Sequence, residues 1–94
     1  MKVVGLPKLA SFADHHADAR MAIQAWVAEA QEATWKTPAD LKARYPSASI
    51  LGDSGVIFNL KGTHYRLQVS IHYSSQLIVV KRMGTHAEYS KWKC

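Results

Sequence analysis

Between residues 61 and 89 the chain carries side chains suited to holding a phosphate and moving protons. Lys61, His64 and Arg66 fall in the run KGTHYR, and His86 and Tyr89 in THAEY. Arginine offers a planar fork that matches two phosphate oxygens, and lysine a mobile point charge. Histidine exchanges protons near neutral pH. Such a set fits the cleavage of an RNA phosphodiester through its own 2′-hydroxyl. That reaction takes a proton from the 2′-hydroxyl, gives one to the leaving 5′-oxygen and stabilises extra charge on the phosphorane, with no need of a metal. Each residue also has a plain structural role open to it. Arg66 can be a solvent-facing strand residue, Lys61 and His64 turn flanks, His86 a helix start and Tyr89 packing.

For the set to act together, residues 61–66 must be carried next to residues 86–89. After Gly55 the apolar period is two, the signature of strands with one covered face. Val56, Phe58 and Leu60 alternate with Ile57, Asn59 and Lys61, and Tyr65, Leu67, Val69, Ile71 and Tyr73 alternate with His64, Arg66, Gln68, Ser70 and His72. Gly62-Thr63 predicts a two-residue type II′ hairpin turn. That turn pairs Leu60 with Tyr65, Asn59 with Arg66, Phe58 with Leu67, and Lys61 with His64. Opposed residues share a face, so Asn59, Lys61, His64, Arg66 and Gln68 are expected on the outward face. Ser74-Ser75 turns into a third strand over residues 77–83, whose register leaves open whether Lys81 or Arg82 joins that face. Gly84 is expected to break the strand. Thr85 and Glu88 then form a capping box that starts a short helix with His86 at its first position.

The first half reads as scaffold. Residues 1–5 suit an edge strand. Pro7 opens a helix that ends near His15-His16, with Leu9 and Phe12 on one face. Asp18 is expected to cap a second helix running to about Ala33, whose stripe of Ile23, Trp26, Val27 and Ala30 packs on the sheet. Thr37 and Pro38 start a third helix anchored by Leu41 and ended by Pro46. The segment 47–55 connects, with a short strand near Ile50-Leu51. The predicted fold is a single α+β domain over residues 1–94: two N-terminal helices packed on a small antiparallel sheet, with a short C-terminal helix at its edge. Adjacent helical positions diverge by about 100°, so His15 and His16 are not a chelating pair and are read as surface residues. No CxxC or HExxH occurs, so neither a metal site nor a cofactor is expected.

Charge divides the chain in two. Residues 1–60 hold six Lys/Arg against six Asp/Glu, whereas residues 61–94 hold six Lys/Arg against Glu88 alone, which accounts for the whole net charge of +5. A basic third on a neutral scaffold reads as a polyanion-binding face. Apolar residues at 48% and charged residues at 20% exclude a disordered chain. No apolar run is long enough to cross a membrane, and no leader sequence is evident at the N-terminus. The sole cysteine, Cys94, has no internal partner, which fits a reducing cytoplasm.

The run VIFNLKGTHYRLQVSIHY, followed by KRMGTHAEYSK, resembles the HigB toxin family of type II toxin–antitoxin modules, within the RelE-like group. The similarity extends upstream through ATWKTPADLKARYPSAS and covers roughly residues 20–91. It implies a RelE-like fold and a ribosome-dependent mRNA endonuclease that cuts messages in the A site. It also implies a HigA-like antitoxin with a helix-turn-helix domain, through which alone the toxin would meet operator DNA. By matching position, Lys61, Arg66, His86 and Tyr89 would be the catalytic residues. Asn59, His64, Gln68, Lys81, Arg82 and Lys91 would contact RNA. Thr63 and Ser90 depart from the family, which often has asparagine and aspartate there. A non-catalytic RNA-binding protein on the same scaffold explains the charge division equally well, but leaves the placement of GTHAEY unexplained.

Overall fold

The computed structural model describes residues 1–52 and 54–92; Cys94 lies outside the described residues. In chain order the elements are β1 (Lys2–Val4), α1 (Leu6–His15), a 3-10 turn (Ala17–Ala19), α2 (Arg20–Glu32), α3 (Pro38–Arg44), β2 (Ser49–Ile50), β3 (Gly55–Leu60), β4 (Tyr65–His72), β5 (Leu77–Thr85) and α4 (His86–Tyr89). The strands form one sheet in the order β1-β5-β4-β3-β2.

The hydrophobic pattern decides which face is covered. Val56, Phe58, Leu60, Tyr65, Leu67 and Val69 are all buried, as the strand alternation requires. Above them lie Ile23, Trp26 and Ala30 of α2 and Leu9 and Ala13 of α1. Phe58 is fully buried and gathers three aromatic rings: Trp26 at 5.3 Å, Tyr45 at 5.1 Å and Trp35 at 6.4 Å between centroids. Edge-to-face rings add to simple area burial, so this knot fixes the helices over the hairpin's base. Thr37 caps α3 by accepting from the Asp40 N–H at 3.2 Å, and Leu41 is its buried anchor.

Four expectations are corrected. The sheet is mixed rather than antiparallel: β1 runs parallel to β5, pairing Lys2 with Leu77 and Val4 with Val79. Apolar residues at 3 and 4 announce a strand, but no turn links it to its partner, so its direction is not encoded locally. Asp18 does not cap α2. It lies in the 3-10 turn, Ala19 occupies the cap position, and the Asp18 carboxylate is engaged elsewhere. Gly84 does not break β5, which continues to Thr85. A β-carbon there would lie 2.8 Å from Trp92 Cζ2 and 3.1 Å from Glu88 Cβ, so glycine serves a close approach. Finally, α4 is not at the sheet's edge. It follows β5 and adjoins β4 and β5, both interior strands, with the His86 N–H donating to the His64 carbonyl at 3.0 Å.

The register of β5 resolves the choice between Lys81 and Arg82. Gln68 pairs with Arg82 and Val69 with Val80, so a bulge leaves Lys81 as the extra residue. Arg82 therefore stands beside Gln68.

Candidate functional site at the hairpin tip

The β3–β4 register matches the pattern: Leu60 pairs with Tyr65, Asn59 with Arg66 and Phe58 with Leu67. The turn itself does not. A type II′ turn would leave Lys61 extended, but Lys61 (φ 51°) and Gly62 (φ 66°) are both left-handed, and the strands end at Leu60 and Tyr65. Left-handed backbone is unfavourable for lysine. Its compensation is visible in two places. The Lys61 carbonyl accepts from both the His64 N–H at 3.2 Å and His64 Nδ1 at 2.9 Å, while Lys61 Nζ donates to Asp18 Oδ2 at 2.8 Å.

Lys61 is consequently not on the outward face. Its ammonium shares Asp18 with the hydroxyl of Tyr65, a core-face residue, which donates to Oδ1 at 2.5 Å. The hydrogen bond from Lys61, followed by that from Tyr65, lowers the Asp18 pKa from 3.8 to about 2. The same hydrogen bond from its own side raises the Tyr65 pKa. His16 joins this side as well. It stacks on Phe12 at 4.2 Å and meets Tyr65 edge-on at 5.7 Å, so unlike His15 it is a packed residue.

On the outward side, Arg66 is the centre. Its Nη1 donates to the Thr63 carbonyl at 2.6 Å, its Nη2 lies 3.2 Å from His86 Nδ1, and its guanidinium carbon sits 5.0 Å from the centre of the Tyr89 ring. The carbonyl of the turn and the aromatic face hold the fork in place. The His86 contact has its own cause in the chain: the capping box of Thr85 and Glu88 starts α4 at His86, with Thr85 Oγ1 accepting from the Glu88 N–H at 3.2 Å and Glu88 Oε1 from the Thr85 N–H at 2.9 Å. The carboxylate's hydrogen bond to the Thr85 backbone also lowers the Glu88 pKa. An open cleft of about 410 Å³ runs alongside, lined by Thr63, His64, Tyr65, Thr85, His86 and Ala87.

Three of the four side chains expected to be catalytic, Arg66, His86 and Tyr89, are thus brought together, and Lys61 faces away toward Asp18. Of the expected RNA contacts, His64 borders the same cleft. Asn59 is opposite Arg66 on β3, its amide donating to the Ser47 carbonyl at 3.3 Å. Gln68 accepts from Arg82 Nε at 2.7 Å, and the Arg82 guanidinium lies 4.2 Å from the Trp92 ring. Lys81 and Lys91 are exposed. Sequence reasoning missed Trp92, which also meets Tyr89 edge-on at 5.5 Å and so ties the Arg82 and Arg66 positions together. It missed the role of Asp18 too, whose partners lie 43 and 47 residues away. A larger recess of about 610 Å³ lies between α1 and residues 81–83 of β5, with Glu88 of α4 on its wall, but neither Arg66 nor His86 lines it. Among the described residues no cluster of three or more His, Cys, Asp or Glu is placed to hold a metal ion.

A family model described as HigB_toxin, RelE-like toxic component of a toxin-antitoxin system, matches residues 19–92. That span contains the whole hairpin, β5 and α4. No curated protein matches the chain.

Proposed function

The chain belongs to the HigB toxin family, the RelE-like toxic components of toxin–antitoxin systems, and on that premise we propose that it is a ribosome-dependent mRNA endonuclease. It cuts the message in the ribosomal A site through the ribose 2′-hydroxyl and so arrests translation. The observation that carries this reading is the convergence of Arg66, His86 and Tyr89 at one end of the sheet. Arg66 has a guanidinium already oriented by Thr63 and Tyr89, and it binds the scissile phosphate and stabilises its added charge. His86 supplies a proton to the leaving 5′-oxygen. Tyr89 sets the plane of the guanidinium. Lys61, paired with Asp18 on the other side of the loop, adds positive charge near the tip rather than a contact to the scissile phosphate.

The remaining basic residues, Arg82, Lys81 and Lys91, hold RNA on either side, with Asn59 and Gln68 as polar contacts. Their grip weakens as salt rises, because phosphate binding releases counterions. The toxin works in the cytoplasm, where ribosomes are. Its antitoxin is a HigA-like helix-turn-helix protein, and operator DNA is reached through that partner alone.

The test uses Arg66→Ala and His86→Ala, each added to a translating extract with the wild type alongside. Removal of either group slows message cleavage by about 10²-fold or more, while both variants still bind RNA. Undiminished cleavage by both overturns the assignment. Binding without cleavage by the wild type favours a regulatory RNA-binding protein instead.

A further inference from the structure

Hydrogen-bond partners fix complementary tautomers in the two histidines of the cleft. The Lys61 carbonyl can only accept, so His64 Nδ1, 2.9 Å away, carries a hydrogen. In the neutral ring the lone pair is then on Nε2. Arg66 can only donate, so His86 Nδ1, 3.2 Å from Nη2, carries the lone pair, and the hydrogen of that ring is on Nε2. Both rings line the same cleft, and a backbone hydrogen bond of 3.0 Å from His86 N to His64 O joins their segments.

From this we infer that His64 is a catalytic residue, the general base that takes the 2′-hydroxyl proton on Nε2; the inference rests on the cleavage reading above. A base needs a free lone pair and a partner that steadies the charged ring once it forms. His64 has both, since the Lys61 carbonyl holds Nδ1–H before and after the transfer. His86 has neither, because its only lone pair is already taken by Arg66. The left-handed backbone at Lys61 belongs to the same arrangement, since the Lys61 carbonyl is the group that His64 binds.

The 2′-hydroxyl proton passes to His64 Nε2 as the 2′-oxygen forms its bond to phosphorus. The bond from phosphorus to the 5′-oxygen breaks, its electron pair leaves with that oxygen, and the oxygen takes a proton from His86 Nε2. Before giving it, His86 takes up a proton from solvent on Nδ1 as the bound phosphate draws Arg66 Nη2 away, and after the step His64 returns its proton from Nε2 to solvent, so that both rings end neutral. The products are a 2′,3′-cyclic phosphate and a 5′-hydroxyl. The titratable and charged groups about His64 are Lys61 on its own turn, Tyr65 and Arg66 on β4, and His86 on α4.

The test is single-turnover cleavage of a message on pre-assembled ribosomes, across a pH series, by the wild type and His64→Ala. Loss of the base slows cleavage by about 10²-fold or more, abolishes the rise of rate with pH through neutrality, and is partly restored by added imidazole. Circular dichroism checks that the variant is folded, as the exposure of His64 leads one to expect. If His64→Ala does not fold, His64→Asn, whose amide can still donate to the Lys61 carbonyl, carries the same test. A folded variant that cleaves at the wild-type rate, or that is slowed with its pH profile intact and no imidazole rescue, overturns the assignment and leaves the cleavage reading standing. No cleavage by the wild type overturns both.

Discussion

Arg66 is shared among Thr63, His86 and Tyr89, while five residues earlier Lys61 is bound to Asp18. The two cations of the hairpin tip are thus sent to opposite sides of it. The position of Arg66 was legible in the sequence, because strand alternation fixes its face and the capping box fixes where His86 begins. The position of Lys61 was not. A left-handed lysine leaves no mark in composition, and an aspartate in a 3-10 turn looks like an ordinary helix cap. The Asp18 pairing makes a prediction about pH. Its folded-state pKa is lowered from 3.8 to about 2, so the ionised carboxylate favours the folded state above the unfolded pKa, and that contribution is lost as pH falls toward 2. Urea unfolding of the wild type and Asp18→Asn at a series of pH values should therefore show a wild-type advantage that is level above about pH 5 and shrinks between about pH 4 and pH 2. An advantage that does not change across that window contradicts the pairing.

At the scale of elements, the hairpin and the β5–α4 junction are the parts that assemble the cleft. Turn position and alternation together gave the pairs from Phe58–Leu67 to Leu60–Tyr65, whereas the expected Lys61–His64 pair lies outside the ladder, and Thr85-x-x-Glu88 gave the start of α4. What failed locally failed for tertiary reasons. Gly84 carries the same letter whether it breaks a strand or lets a helix approach one, and only the position of Trp92 and Glu88 distinguishes the two. Likewise the bulge at Lys81 depends on how β5 must bend beside Gln68, which no turn residue signals. Gly84→Ala tests the junction. The new methyl would meet the rigid Trp92 ring and the Glu88 stem, so it displaces α4 and costs about 1–3 kcal/mol of stability, the usual range for overpacking. Chemical denaturation measures that loss, and message cleavage should fall with it as His86 is drawn away from Arg66. Unaltered stability would mean that α4 does not close on the strand.

For the whole molecule, the division of charge seen in the sequence corresponds to a division of labour. The electrically balanced first sixty residues supply β1 to β3 and α1 to α3, whereas the hairpin tip, β4, β5, α4 and the residues after it carry the net positive charge. The family match begins at residue 19, so β1 and α1 fall outside it. Yet α1 packs over β5, and β1 completes the sheet's edge. The α+β class and the helices' placement over one face followed from periodicity alone. The parallel pairing of β1 did not, because the two strands are separated by most of the chain. No helix among the described residues is long and apolar enough to cross a membrane. Cleavage of ribosome-bound message through the 2′-hydroxyl leaves distinctive ends, which end-group analysis of the fragments reads. A message on programmed ribosomes, treated with the wild-type protein, should yield upstream fragments ending in a 2′,3′-cyclic phosphate and downstream fragments beginning with a 5′-hydroxyl, both absent when ribosomes are omitted. An intact message, or fragments with 3′-hydroxyl and 5′-phosphate ends, would contradict it.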